Sequence, residues 1–249
     1  MAEASPDVRP AAVGEAVSLE AFPLEHAFPL QGGRVARVRF TTVADGDLAV
    51  VRPGPALDAR RLALSSRPWT WLHQVHGAGV VEVTRPGEGA GAEADAAVTR
   101  SPDALLAVHT ADCAPIALVA AEGVVGAVHA GWRGLAAGVV EAAARRMRAL
   151  GATAVTAVVG PCIHASCYEF GADDLERVVA RCGEAARGVT ADGRPALDLP
   201  AAVRAALDRA GAEVAGGDPP CTACDRRFFS HRARGDTGRQ ALLVWIEDR

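Results

Sequence analysis

Four short apolar runs in the middle of the chain determine the architecture that the sequence predicts. They lie at 94–99, 105–110, 116–121 and 124–129, and each has the length of a strand. Because almost every position in these runs is apolar, we expect strands that are buried on both faces. The remaining strands are predicted at 34–43, 69–75, 79–84, 154–160 and 241–246. Turn or loop residues follow at 45–47 and 86–91.

The segment 135–150 has the most regular helical pattern in the chain. An apolar stripe runs along it at helical spacing, and Gly151 follows as a stop signal. Shorter helices are predicted at 58–65, 173–187 and 199–210. Strands and helices together predict an α/β fold, a single domain over 26–249 with mixed, buried β-sheets enclosed by helices. Residues 1–25 show no periodicity, and we expect a flexible N-terminal arm there.

Composition narrows the class of protein. Half of the 249 residues are apolar, so the chain can bury a large core, and the net charge of −4 argues against binding to nucleic acid. The sequence contains no run of 18 apolar residues and no pattern of a signal peptide, so we expect no membrane span and a cytoplasmic location. Six Cys in a chain of this length predict thiols or metal ligands rather than a disulfide scaffold.

Two histidines and a cysteine lie at the ends of predicted strands. His76 follows a strand at a Gly turn, Cys113 lies between two strands, and His129 ends the next strand. A catalytic zinc ion usually has three such protein ligands and an open position. The separations between the three residues fit no short zinc-finger pattern. The residues alone therefore leave two interpretations open, a zinc site or a buried Cys with two hydrogen-bonded His.

Candidate pocket residues surround these three positions in the sequence. Gly131–Gly134 leads into the long predicted helix, and Arg133 together with the free N–H groups there would bind phosphate. Cys162 follows a buried strand, where ligand-binding loops are common. Glu169 is a candidate general acid or base. The alternatives are a surface ion pair for Arg133 and an ordinary solvated side chain for Glu169.

The segment 228–232 offers two aromatic rings as a wall against a planar ligand, with Ser230 and Arg232 as polar contacts, although at least one of the two Phe is expected in the core. A separate CxxC pair, Cys221 and Cys224, is typical of either a zinc knuckle or a redox pair. Its available partners in a four-thiolate site are Cys162 and Cys167, which are weak candidates. Cys182 lies inside a predicted helix and is expected to be a core thiol.

Six ordered motifs resemble those of one known family. QVHG, TADC, HAGWRG, GPCI, CYEFG and FFSHRARGDTGRQA are similar to motifs of the laccase-domain family, over roughly residues 70–246. That family was first described as multicopper polyphenol oxidases and is now regarded as purine nucleoside phosphorylases. The resemblance implies a fold similar to the laccase-domain and cytotoxic necrotizing factor-like fold. It also implies a zinc ion on His76, Cys113 and His129.

The resemblance further implies the reactions and partners. These are phosphorolysis of adenosine, inosine and methylthioadenosine, deamination of adenosine, and purine nucleosides and phosphate as small-molecule partners. We expect a monomer or homodimer. The chain departs from the family's pattern in one place. The strand with Phe40–Thr42 is present, but the segment 43–47 that follows lacks the usual Arg and paired Gly.

Three other functions remain open at this point. Cys113 and His129 are also a suitable nucleophile and base for an amidase or hydrolase that edits peptidoglycan precursors. A copper polyphenol oxidase is disfavoured, because a multicopper cluster needs many imidazoles and the chain has seven His and no His-x-His pair. A non-catalytic metal-binding module is the third, since a fold by itself does not define an activity.

Overall fold

Two six-stranded mixed sheets lie face to face in the computed structural model, which describes residues 22–248. In spatial order the first sheet contains β1 (Glu25–Pro29), β2 (Arg34–Phe40), β14 (Gln240–Asp248), β7 (Leu105–Thr110), β3 (Trp69–His73) and β5 (Ala92–Glu93). The second contains β13 (Ala212–Val214), β10 (Val155–Val159), β8 (Ala114–Ala120), β9 (Val124–Ala130), β6 (Ala96–Thr99) and β4 (Val80–Val83). A separate hairpin pairs β11 (Arg187–Val189) with β12 (Pro195–Leu197). Both large sheets combine parallel and antiparallel pairs.

Helices cover the outer faces of these sheets. They are α1 (Pro55–Leu64), α2 (Trp132–Ala137), α3 (Val139–Ala149), α4 (Ala172–Cys182) and α5 (Leu199–Ala210). The short helix α6 (His231–Arg234) lies in the connection before β14. Single 3-10 turns lie at Gln31–Gly33, Val43–Asp45, Ala165–Cys167 and Glu184–Ala186. Within residues 22–248, every helix is too short or too polar to cross a bilayer.

Three apolar layers hold the elements together. Between the sheets, Val38 and Leu106 of the first pack with Val125 of the second. On the far side of the second sheet, helices α2 to α5 cover side chains such as Ile116, while α1 covers Leu105 on the far side of the first. Because β7, β8 and β9 therefore have packed neighbours on both faces, all their residues are buried, as the apolar runs predicted.

At two positions a glycine ends a helix earlier than the sequence predicts. The predicted helix 135–150 is two helices, since Gly138 has a left-handed φ of 85° and separates α2 from α3. A Cβ at Gly138 would also lie only 2.5 Å from the Arg181 guanidinium. The predicted helix 173–187 ends at Cys182, because Gly183 turns away with φ 84° before a single 3-10 turn.

The other differences are at the ends of the chain and in short elements. The strand predicted at 34–43 ends at Phe40, because the side chain of Thr42 begins a 3-10 turn with Asp45. Of the expected flexible arm 1–25, residues 1–21 lie outside the described residues, and Glu25 already belongs to β1. Strand β1, the β11–β12 hairpin and α6 were not predicted.

Candidate metal centre

The three residues predicted to bind zinc do lie together. His76 is in the β3–β4 loop, Cys113 is in the β7–β8 loop, and His129 is near the end of β9. Their ligand atoms all lie within 4.8 Å of one another. The Cys113 Sγ atom is 3.9 Å from Nε2 of His76, and the two imidazole rings stand nearly perpendicular with centroids 4.8 Å apart.

A fully buried carboxylate, Asp95, organises two of these three residues. It accepts hydrogen bonds from the backbone N–H groups of His76 at 2.9 Å and Gly77 at 2.7 Å. These bonds hold the loop in which His76 adopts an uncommon left-handed φ of 58°. Asp95 also lies 2.8 Å from Nδ1 of His129. With the proton on Nδ1, the Nε2 lone pair of His129 is free to bind a metal ion, the arrangement usual behind metal-binding histidines.

Asp95 was not predicted from the sequence, although a signal for it exists. It is a single carboxylate at the start of the apolar run 94–99, and a charge buried in such a run requires charged or hydrogen-bonded partners. Asp95 and His129 are also connected through the backbone, since the N–H of His129 donates to the carbonyl of Asp95 at 2.7 Å.

Gly131 allows the three residues to approach each other. A Cβ at this position would lie 2.8 Å from Cδ2 of His76 and 3.1 Å from Sγ of Cys113. Any larger residue would push the imidazole and the thiol apart. Two imidazoles and one thiolate are donors that zinc accepts, and three protein donors leave one position open. The residues present therefore fit a catalytic metal ion.

The charges of Cys113 and His129 depend on each other. Burial alone would raise the pKa of the Cys113 thiol, but His129 and His76 outweigh burial and lower it to about 6. Burial alone would lower the pKa of His129, but Cys113 and Asp95 outweigh burial and raise it to about 9. At neutral pH the protein without metal therefore holds a thiolate beside an imidazolium.

A cavity of about 460 Å³ opens in front of the cluster, and all three residues border it. Its wall includes His109 and Thr110, which are both buried, as well as Arg239. Within the described part of the chain, neither ring nitrogen of His109 nor the hydroxyl of Thr110 has a hydrogen-bond partner. Burial, together with nearby positive charges, lowers the pKa of His109 to about 3, so this ring is neutral.

The segment that departs from the family's pattern lies beside the cavity. Residues 43–45 form a 3-10 turn, and Ala49 to Val51 border the cavity. Asp47 fixes this segment, because its carboxylate accepts the backbone N–H of Arg239 at 3.0 Å and forms an ion pair with Arg52. Within the segment 43–47, Asp47 is therefore bonded to a residue of the cavity wall, Arg239.

Asp112, next to Cys113, connects the cluster to the C-terminal part of the chain. Its carboxylate accepts the hydroxyls of Thr222 at 2.7 Å and Ser230 at 2.6 Å, and the backbone N–H of Arg232 at 2.6 Å. Asp112 has a left-handed φ of 91°, and these three bonds hold it there. Ser230 is predicted from the sequence as a substrate contact, but its buried hydroxyl donates to Asp112 and also accepts the N–H of Ala233.

The other predicted pocket residues lie away from the cavity lining. Arg133 is exposed and stacks on Trp132 at 4.5 Å, and the exposed Arg232 lies over Tyr168 at 5.1 Å. Glu169 is exposed and forms an ion pair with Arg194.

The thiol and aromatic predictions have mixed outcomes. Cys162 is buried, forms a β-bridge with Cys221, and has a pKa raised by burial. Phe228 is a core residue, as expected for at least one of the two Phe, and Cys182 is the expected core thiol. Cys167, Cys221 and Cys224 form a second cluster, whose thiols lie within 4.8 Å of one another.

Comparison with known proteins relates this site to a family. Residues 40–247 match the family model described as multi-copper polyphenol oxidoreductase laccase. A purine nucleoside phosphorylase of Streptomyces coelicolor is 40% identical over 205 residues, covering 81% of this chain and 84% of the relative. One of Mycobacterium tuberculosis is 39% identical over 204 residues, covering 81% of each.

The fold is also similar to that of solved structures. The hypothetical protein YfiH of Bacillus licheniformis superposes with a TM-score of 0.74 at 25% identity, covering 84% of this chain and 92% of that protein. The motifs on which the sequence resemblance rests lie inside the matched range and supply His76, Cys113 and His129. The chain therefore belongs to the multi-copper polyphenol oxidoreductase laccase family, the laccase-domain proteins.

Proposed function

We propose that this chain is a zinc-dependent purine nucleoside phosphorylase that also deaminates adenosine. The names of its relatives support the phosphorylase class. The observation that carries the proposal for this chain is the convergence of His76, Cys113 and His129 on one cavity, with Asp95 behind them. A polyphenol oxidase cluster of several copper ions would need more imidazoles than this one site contains.

His76, Cys113 and His129 would hold the zinc ion. A zinc ion with three protein ligands acts as a Lewis acid toward an oxygen in its open position. The contribution of the protein is to keep the three donors in place. Asp95 fixes the tautomer and orientation of His129, and its bonds to the backbone hold the loop of His76. Gly131 keeps the space in which Cys113 and His76 approach.

The cavity suits a small polar substrate. Its volume of about 460 Å³ lies in the range typical of small-molecule sites, which is roughly 300–1,000 Å³. His109 and Thr110 both border this space, and their ring nitrogens and hydroxyl have no partner among the described residues, so we propose that they form hydrogen bonds with a base or a ribose. Both side chains are rigidly placed because they lie at the end of β7.

We also propose that phosphate binds on the side of Arg239 and His231. Arg239 is the arginine that borders the cavity, and its Nη1 already donates to the carbonyls of Asp236 and Gly238, which fixes the guanidinium. His231 borders the same space. The earlier candidate for this role, Arg133, stacks on Trp132 instead.

The proposed function comprises two reactions. In phosphorolysis, a phosphate oxygen bonds to the anomeric carbon of the ribose while the bond from that carbon to the purine nitrogen breaks. The electron pair leaves with the base, which takes up a proton, and the products are ribose 1-phosphate and the free purine. In deamination, water adds to the amino-bearing carbon of adenosine, and ammonia leaves to give inosine.

The test is turnover of adenosine and inosine by purified protein, with and without phosphate. We expect free purine only when phosphate is present, and inosine from adenosine in both conditions. Cys113→Ala should remove both activities, whereas Cys182→Ala changes a core thiol outside both clusters and should retain them. If metal-loaded wild type converts neither nucleoside, the proposal is wrong.

A second candidate function rests on the same geometry. Cys113, His129 and Asp95 are also arranged as nucleophile, base and orienting carboxylate. The thiolate would bond to an amide carbonyl of a peptidoglycan precursor, and the imidazolium would give its proton to the leaving amine before water hydrolyses the thioester. Metal separates the two functions. A chelator should abolish the activity of a zinc enzyme. It should increase the activity of a cysteine amidase, because removal of metal releases the thiolate.

A further inference from the structure

Three cysteines outside the candidate active site converge at the surface. The Sγ atoms of Cys167, Cys221 and Cys224 all lie within 4.8 Å of one another, and those of Cys167 and Cys224 are 3.4 Å apart. Cys167 ends the 3-10 turn at Ala165–Cys167, and the other two come from one turn more than fifty residues further along the chain. Two distant segments therefore meet through thiols.

The backbone around these thiols has the form of a metal knuckle. In the turn from Cys221 to Cys224, the N–H groups of Cys224 and Asp225 both donate to the carbonyl of Cys221, at 3.2 and 2.9 Å. This turn brings the first and last thiol of the CxxC sequence to one side. The backbone N–H of His164 points at Sγ of Cys221 at 3.4 Å, a contact that stabilises a thiolate.

Packing does not account for the cluster. Cys224 is exposed, and Cys167 and Cys221 are partly exposed, whereas Cys162 and Cys182 are buried among apolar side chains. Cys162 and Cys182 have the ordinary environment of a core thiol. A group of three accessible thiols gains little from apolar burial and is open to oxidation unless something binds them.

We propose that Cys167, Cys221 and Cys224 bind a second zinc ion, with a solvent molecule as the fourth ligand. Thiolates are donors that zinc binds readily, and a CxxC turn is a common way to supply two of them. Cys162, which sequence reasoning considered as a fourth ligand, is excluded because its thiol is buried and outside the group of three.

This ion would connect two segments that both reach the candidate active site. Ile163 donates its backbone N–H to the carbonyl of Asp112, and Thr222 donates its hydroxyl to the Asp112 carboxylate. Asp112 precedes Cys113. A zinc ion on the three thiols would therefore hold the turn at 221–225 against the segment that contains Cys167, and so keep Ile163 and Thr222 in contact with Asp112.

The proposal does not depend on the identity of the substrate, and metal analysis tests it directly. Protein purified under reducing conditions and loaded with zinc should contain about two ions per chain, because it has two separate sets of three donors. Cys113→Ala and Cys224→Ser should each retain about one ion, and the double variant none. Cys182→Ala should keep about two.

Cobalt provides a second measurement in the folded protein. Thiolate-to-cobalt charge-transfer absorption in the near ultraviolet should remain strong in Cys113→Ala, which keeps three thiolates, and become weak in Cys224→Ser. Because Cys224 is exposed, its serine variant is expected to fold, and Cys167→Ser provides an independent check. Wild type with a single ion that disappears in Cys113→Ala, or a Cys167–Cys224 disulfide in freshly purified protein, would overturn the proposal.

Discussion

The His76–Cys113–His129 cluster and the Cys167–Cys221–Cys224 cluster hold their ligand atoms equally close together but have different surroundings. In each, three ligand atoms lie within 4.8 Å. Behind His76, Cys113 and His129 lies the buried carboxylate of Asp95, and in front of them lies a cavity. Around Cys167, Cys221 and Cys224, the contacts come from the backbone N–H of His164, the hydroxyl of Ser166 and the thiols themselves. A metal site intended for chemistry needs an oriented ligand and an open face, whereas a structural site needs only enough donors.

The charges of the two clusters differ in the same way. His129 and His76 lower the pKa of Cys113 to about 6 against the effect of burial. At Cys224 the hydrogen bond with Cys167, burial and the nearby Cys221 all raise the pKa. The first cluster is therefore charged before any metal binds. In the second cluster, the raised pKa favours the protonated thiol of Cys224 until a cation replaces its proton.

The largest difference should appear when one ligand is removed from each cluster. Cys113→Ala should lower kcat/KM for inosine by about three powers of ten, since a catalytic metal contributes several kcal/mol to transition-state stabilisation. Cys224→Ser should lower kcat/KM far less, because its cluster reaches Cys113 only indirectly, through the hydrogen bonds to Asp112. Steady-state phosphorolysis of inosine by the two variants, each supplied with zinc under the same conditions, provides the measurement. Equal losses in the two variants would mean that the clusters do not have separate roles.

The carboxylate behind the first cluster should have the next largest effect. Asp95→Asn keeps the size of the side chain but removes its charge, so the N–H groups of His76 and Gly77 and the ring of His129 lose a charged acceptor. Zinc affinity should fall by about 10–100-fold. Competition with a chromophoric chelator measures this change. The cysteine cluster should keep its ion, and a loss from both clusters would instead indicate that the variant is misfolded.

The sequence predicted the sheets and the three residues of the candidate metal centre for different physical reasons. The strands 105–110, 116–121 and 124–129 were recognised because strands buried on both faces are continuously apolar, which is a local pattern. His76, Cys113 and His129 were proposed because they lie at strand ends, and the family resemblance then favoured zinc. Both signals are properties of short segments.

The parts that were missed depend on contacts between distant segments. Asp112 meets Ser230 and Thr222 more than a hundred residues away, and no pattern within either segment shows this. Arg133 follows Gly131 as a phosphate-binding residue would, yet its direction is determined by Trp132 beside it. Cys167 was considered beside Cys162 as a pair because they are close in sequence. Only the fold shows that Cys167 belongs with Cys221 and Cys224 and that Cys162 does not.

Reaction with iodoacetamide should separate the clusters in protein freed of metal. At pH 7 Cys113 should be alkylated about tenfold faster than Cys224, or more, although Cys224 is the more exposed thiol, because only the thiolate reacts. The rate at Cys113 should fall as the pH decreases through about 6. The rate at Cys224 should rise only as the pH increases beyond the ordinary value of a thiol, since its pKa is raised. Peptide mapping by mass spectrometry at several time points measures both, and faster labelling of Cys224 at pH 7 would contradict the charge difference.

The smallest effects should come from two buried threonines, one in the connection between the clusters and one in the cavity wall. Thr222→Val removes the hydroxyl that donates to Asp112, and a hydrogen bond to a charged group is worth about 1.5–3 kcal/mol of unfolding free energy. Thr110→Val is the matched control, since its buried hydroxyl has no partner among the described residues and its loss should leave stability unchanged or slightly increased. Thermal unfolding should therefore show a decrease in Tm of roughly 3–10 °C for the first variant only. Thr110→Val should instead raise KM for the nucleoside if its hydroxyl contacts the substrate. An equal loss of stability in both variants would mean that the bond to Asp112 contributes nothing specific to the connection between the two clusters.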